Sequence, residues 1–360
     1  MSNAFLTKGV RRSLGQIRYV KPVMPGAADG LVAQVYAQAE RDFGVVAPPL
    51  VLHSPAPAVL AAAWVLLRET LLATGSVSRA EKEIVAASVS AGNACPYCVA
   101  VHSASARSLI PGLTPAEIAS GSLEPVTDPG LRELATWARG SGEPGPGLPV
   151  IGRNFAEIAG VAVAFQYLNR MVTLFLPESP LPPLTPKAVG GWVMDMLGSA
   201  MTSPSPAPGA SLDLLPEAPL PAGFSWAASE PGVAAALARA AGTIENAGKQ
   251  AVSAPVRELV LDTLSGWNGR PPGPSRAWAG TMAAGLADAD RSAGRLALLT
   301  ALTPYQVSRD DVADLRRSAG TGAGADEALI GLTAWASMAA ARKVGSWLRQ
   351  RGRSDPVPSF

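Results

Sequence analysis

Leu60, Trp64, Leu67 and Leu71 recur at the three-to-four-residue spacing that lines one face of an α-helix, which predicts an amphipathic helix with Trp64 in the core. Helical spacing continues in "RAEKEIVAASVSAGN" (79–93). Ser78 with Glu81 fits a capping box, so this helix should start there and stop near Gly92-Asn93. After that break, "CPYCVAVHSASARSLI" (95–110) reads as a new helix with Pro96 in its first turn, where a missing N–H costs nothing. Further on, "IAGVAVAFQYLNRMVTLFL" (158–176) is strongly apolar but interrupted by Gln166, Asn169 and Arg170. It falls short of the roughly 18 uninterrupted apolar residues of a membrane span and reads as a buried helix.

Composition sharpens this pattern into a fold class. Apolar residues make up 48% of the chain and aromatics only 6%, so the β-branched and aromatic alternation of strands is scarce. An all-α protein follows. Its 360 residues exceed a typical single core, which favours two domains or two repeated halves. "SVSRAEKEIVAASVSAGNACPYC" (76–98) lies over "AVSAPVRELVLDTLSGWNGRPPG" (251–273) without a gap, matching Ser78 to Ser253, Glu83 to Glu258, Ser90 to Ser265 and Asn93 to Asn268. With small gaps, "AFQYLNRMVTLFL" (164–176) also resembles "ASMAAARKVGSWL" (336–348). Two similar helical halves are expected, 1–180 and 224–350, the second a degenerate copy. The Pro-rich connection 181–223 reads as an extended linker with one short helix in "GGWVMDMLGSAM".

Charge narrows the partners. Net charge is +2 with no dense basic run, so no nucleic-acid role is expected, and the mildly basic "TKGVRRSLGQIRYVK" (7–21) reads as a solvated arm. Neither a membrane span nor the apolar core of a secretion signal is evident, which points to the cytoplasm. "GTGAGADEA" (320–328) lacks a preceding strand and reads as a flexible loop, not a phosphate cradle.

Both cysteines of the chain and one of its two histidines stand in "NACPYCVAVH" (93–102). In a reducing compartment a CxxC pair points to catalysis or metal binding more than to a permanent staple. The matched positions in the second half are Arg270, Gly273 and Ala277, so the scaffold repeats while the reactive side chains occur once. Cys95 at the helix start and Cys98 in its first turn would feel the helix dipole, which lowers a thiol pKa. Cys98 and His102 share a helix face. Glu83, on the preceding helix, could fold back toward both, although a helix Glu taken alone is more often solvated. A bare CxxC also permits a zinc site made of Cys95, Cys98, His102 and His53, or a non-catalytic scaffold or redox sensor.

The pattern Glu83-x11-Cys95-Pro-Tyr-Cys98-x3-His102, followed by the long apolar helix, resembles the alkylhydroperoxidase D (AhpD-like) branch of the carboxymuconolactone decarboxylase family. The resemblance implies two AhpD-like helical halves, assembly as a homo-oligomer (trimer or larger) and a thiol-dependent alkyl hydroperoxide reductase without cofactor or metal. It also implies the roles. Cys98 attacks the peroxide, His102 and Glu83 relay its proton, and Cys95 resolves the sulfenic acid to a disulfide. A lipoyl-type or other dithiol protein then reduces that disulfide. Tyr97 stands where some members carry a further His in the relay. The decarboxylase branch lacks the Cys pair, which disfavours the lactone reaction.

Overall fold

The computed structural model describes residues 13–110, 128–145, 147–148, 154–181, 185–202, 205–319 and 323–349. Among them the chain is helical and contains no β-strand. The helices run α1 (Gly30–Phe43), α2 (Pro48–Val51), α3 (Pro57–Leu67), α4 (Arg79–Gly92), α5 (Pro96–Leu109), α6 (Pro129–Gly140) and α7 (Phe155–Phe175). They continue as α8 (Lys187–Thr202), α9 (Pro231–Ala251), α10 (Ala254–Ser265), α11 (Ala277–Ala283), α12 (Asp288–Leu302), α13 (Arg309–Ala319) and α14 (Ala323–Gly345). One hydrophobic core extends through buried residues from Leu14 to Leu348.

Helix α7 is the axis of this core. It packs against α4 on one side and α14 on another, while α9 lies against both α3 and α14. By length and composition α7 could cross a membrane, but it is almost wholly enclosed by the protein. The polar residues that interrupt it are satisfied internally. Arg170 donates from Nε to the Ala301 carbonyl (2.8 Å) and from Nη1 to the Gln166 carbonyl (2.5 Å) and Oε1 (2.9 Å). Burial pulls its pKa down to about 10.

The start of α4 is held from two sides. The Ser78 side chain accepts from the Glu81 N–H, and the Glu81 carboxylate accepts from the Ser78 N–H, closing the expected capping box. Beside it, buried Glu157 in the first turn of α7 accepts from the N–H and hydroxyl of Ser76 and pairs with Lys82 at 3.0 Å. Burial raises the Glu157 pKa, yet these donors more than offset it and hold the carboxylate below its ordinary range.

Three sequence expectations change. The short helix expected in "GGWVMDMLGSAM" is present as the 16-residue α8, but it packs along α5 and does not stand in an extended linker. Only the flanks of this stretch carry prolines, so nothing inside it interrupts the helix. Farther along the connection, Arg68 donates to the Ala207 carbonyl, and Glu69 accepts from the Gly209 and Ser211 N–H groups, so this part is fastened to the helix after α3. The basic N-terminal stretch is no free arm from Ser13 onward. Leu14 is in the core, and the Arg18 N–H donates to the Phe175 carbonyl. Residues 7–12 of that stretch lie outside the described residues. Finally, Ala323 onward in "GTGAGADEA" opens α14 instead of a loop, residues 320–322 being outside the description.

Candidate active site

Helix α4 stops at Asn93, and Ala94 takes a left-handed conformation (φ 51°) that turns the chain into α5. Cys95 is the N-cap of α5, and Pro96 opens the helix as expected. The Cys95 N–H donates to the Ser90 carbonyl across the turn (2.9 Å), fastening the cysteine to the end of α4. Both cysteines are reduced and buried.

The two thiols do not behave alike. Burial raises Cys95, but hydrogen bonds from Cys98, Thr173 and Asn169 more than offset this, so its pKa is lowered. Cys98 is raised well above the ordinary thiol value by burial, by its hydrogen bond to Cys95 and by charge repulsion from Cys95. The expectation that a helix start lowers the thiol pKa fails for Cys98, and Cys95 is lowered by its hydrogen bonds with Cys98, Thr173 and Asn169. For two sulfurs in contact, ionisation of the first opposes ionisation of the second.

Glu83 is fully buried, not solvated. Its Oε2 accepts from His102 Nδ1 at 2.7 Å, and its Oε1 accepts from Arg79 Nε (2.8 Å) and Nη2 (2.7 Å). Burial pushes the Glu83 pKa up, but Arg79 and His102 pull it below the ordinary carboxylate range, so Glu83 is the acceptor in this array. With Nδ1 donating to Glu83, Nε2 is the ring nitrogen turned away from the carboxylate. Phe165 stands edge-on to the imidazole, with ring centroids 4.6 Å apart, and fixes its plane.

Cys98 and His102 open onto a chamber of about 420 Å³. Its walls are apolar, with Phe165 and Leu168 from α7 and Met194 and Leu197 from α8. Tyr97 also lines the chamber, its phenol raised by burial. Cys95 does not line it; it sits behind Cys98.

The model of the carboxymuconolactone decarboxylase family matches residues 58–138, which include this whole Glu83–His102 array. A protein of Mycobacterium tuberculosis named alkyl hydroperoxide reductase is 36% identical over 338 residues, covering 92% of this chain and 95% of that one. The chain belongs to this AhpD-like family. A crystal structure of an AhpD core, an uncharacterised peroxidase-related protein from Ralstonia eutropha JMP134, is 18% identical; it covers 51% of this chain and 97% of its own, with a TM-score of 0.39.

Of the residues singled out from sequence, Glu83, Cys95, Cys98 and His102 lie together in this AhpD-like array. His53 is elsewhere: fully buried, bonded through Nδ1 to the Leu50 carbonyl (3.2 Å) and stacked on Tyr167. Burial lowers its pKa to about 4. No group of three or more His, Cys, Asp or Glu that could hold a metal ion occurs among the described residues, so the four-ligand zinc set does not form.

Sequence reasoning missed the part that Arg79 and Asn169 play here and the packing of α8 against the chamber. Arg79 stands one helical turn before Glu83, a pairing that opposite charges at that spacing signal. Asn169 was visible only as a break in an apolar helix. Its amide donates to Ser90 Oγ (3.0 Å) and its carbonyl oxygen accepts from Asn93 (2.9 Å), which holds it against the sulfur pair.

Proposed function

We propose that the chain reduces organic hydroperoxides through a dithiol–disulfide cycle of Cys98 and Cys95. That it is an oxidoreductase of the peroxidase type is the coarse reading supported by the family and by 36% identity across nearly the whole chain. The observation that carries the finer one is the placing of the Cys98 thiol and His102 on one apolar wall, with Cys95 and Glu83 behind them.

The sulfur pair gives one proton to His102 Nε2, leaving a thiolate shared with one thiol. The remaining proton moves to Cys95, and the Cys98 thiolate attacks the outer peroxide oxygen. The O–O bond breaks, Cys98 becomes a sulfenic acid and the alkoxide takes the proton back from His102, leaving as an alcohol. Cys95 then attacks the Cys98 sulfur; the S–S bond forms, and the departing hydroxide leaves as water with the Cys95 proton. Two thiols and one hydroperoxide thus yield one disulfide, one alcohol and one water. An external dithiol, of lipoyl type or another, restores the thiols by exchange and is itself oxidised to a disulfide. Glu83 acts by holding the His102 tautomer and orientation, and Arg79 by keeping Glu83 ionised.

The test is to add one equivalent of alkyl hydroperoxide to the reduced protein and weigh the intact chain. The expected result is rapid loss of two hydrogens in the wild type and a trapped sulfenic acid in Cys95→Ser. Cys98→Ser should do neither. A wild type that keeps both thiols on that timescale would overturn the peroxidase reading and leave a scaffold or disulfide-exchange role.

A further inference from the structure

On the side away from the chamber the cysteine pair meets α7, which offers it two hydrogen-bond donors that the peroxide step does not use. We infer that Asn169 and Thr173 form an anion site for the Cys95 sulfur, which makes Cys95 the leaving group when the disulfide is reduced and sets the redox potential of the pair. The inference rests on the dithiol–disulfide cycle above and names the residues that govern its return half.

The orientation of the Asn169 amide follows from its neighbours. Ser90 Oγ gives its one proton to the Ala86 carbonyl (2.7 Å), so toward Asn169 it can only accept. The Asn169 nitrogen therefore faces Ser90 (3.0 Å), and its oxygen accepts from the Asn93 amide (2.9 Å). One amide N–H remains, and it serves the sulfurs, to which Asn169 is hydrogen-bonded. Thr173 stands one helical turn later and bonds Cys95 through its hydroxyl. A donor of this kind favours a thiolate over a thiol.

Cys98 lines the chamber and Cys95 does not, so an incoming reductant thiolate reaches Cys98. A bond forms to the Cys98 sulfur, the Cys95–Cys98 bond breaks and its electron pair departs with Cys95. A sulfur leaves faster the better its anion is stabilised. The second thiolate of the dithiol then displaces Cys98, and the reductant departs as its own disulfide, its two protons passing to the pair and to solvent. Both donors lie beyond residues 58–138, so the matched family region supplies the cysteines but not the groups that hold the charge. In the stretch of the second half that resembles α7, the same positions are Ala341 and Gly345, which have no side-chain donor. The donors are therefore missing where the cysteines are missing.

The test equilibrates the full chain in buffers of 2-mercaptoethanol and its disulfide at mildly alkaline pH and reads the dithiol–disulfide ratio by alkylation and intact mass. Thr173→Val keeps the shape and removes the hydroxyl. It should shift the equilibrium about tenfold toward the disulfide, the size of a hydrogen bond to a charged group, which lowers the potential by about 30 mV. Reduction of its disulfide by dithiothreitol should slow as well. Thr173→Ser retains a hydroxyl and should stay within about twofold of the wild type. Asn169→Leu should shift the equilibrium in the same direction as Thr173→Val; circular dichroism checks its fold, and the two Thr173 variants decide the matter if it does not fold. An equilibrium that Thr173→Val leaves unchanged, or an equal shift in Thr173→Ser, would overturn the anion site while leaving the peroxidase reading in place. No peroxide enters this experiment, so a chain that shows the shift yet fails to reduce a hydroperoxide would sink the peroxidase reading alone. A wild type that forms no Cys95–Cys98 disulfide in the fully oxidised buffer would overturn both.

Discussion

Helices α4 and α10 cover sequence stretches that match without a gap, yet one is enclosed in the core and the other lies at the surface. Both follow a serine N-cap, Ser78 and Ser253, but only Ser78 closes a capping box. In α4 every residue from Lys82 to Ser90 is buried, because α5, α6 and α7 surround it. In α10 only Val256, Val260 and Leu264 are buried, a single stripe. The difference begins in the next element. Helix α5 has 14 residues and carries His102 back over Glu83, whereas α11, where the matched Ala277 falls, has 7. Glu83 consequently lies inside between Arg79 and His102, while Glu258 faces solvent and the matched position for Arg79 is Ala254. A shared helix pattern fixes where a glutamate sits along a helix; its neighbours decide whether it is a buried, paired carboxylate or a solvated charge.

The strongest way to break this contrast is at the imidazole. His102→Gln should lower the peroxide rate by about 100-fold or more, the range lost with a general acid–base group, measured under steady-state turnover with a dithiol donor. An unchanged rate would mean that the buried array is structural in both stretches. Next, Glu83→Gln leaves Arg79 without its anion and should cost about 3 kcal/mol in denaturant unfolding. The matched Glu258→Gln should stay within about 0.5 kcal/mol, as expected at a solvated surface. Equal effects would erase the distinction between the helices.

Acid titration sharpens the same comparison. His53 has a folded pKa of about 4 against an ordinary 6.5, so the unfolded chain takes up its proton first and stability falls as pH drops through that window. Glu83 is depressed below 4.5; its contribution is full above that pH and is lost as pH falls further toward its folded value. Thermal melting across these pH values should show both phases in the wild type, and Glu83→Gln should flatten only the lower one.

The turns that follow the two helices give the smallest effects. Ala94 and the matched Gly269 both have positive φ, 51° and 91°. Gly269→Ala should destabilise by about 1–3 kcal/mol, since it strains the backbone and its Cβ would meet the Gly142 carbonyl at 2.2 Å. Ala94→Gly relieves strain at the cost of unfolded-state entropy and should change stability by less than about 1 kcal/mol. A large loss in Ala94→Gly would show that the left-handed turn before Cys95 depends on its side chain.

Local signals in the sequence determined a great deal. Helical spacing, the Ser78–Glu81 box and the Gly-Asn stop set the ends of α4, and Pro96 set the start of α5, because these depend on groups a few residues apart. The CxxC–His spacing put Cys98 and His102 on one face of α5 for the same reason. Tertiary structure decided what long-range packing controls. It buried Glu83 and joined it to Arg79, brought Asn169 and Thr173 from α7 to the Cys95 sulfur, and set the two thiols apart in pKa. It also folded α8 out of a Pro-rich connection to wall the chamber. Burial and charge pairing depend on which helices meet, and that is decided by the enclosure of the whole core, not by any one stretch of chain.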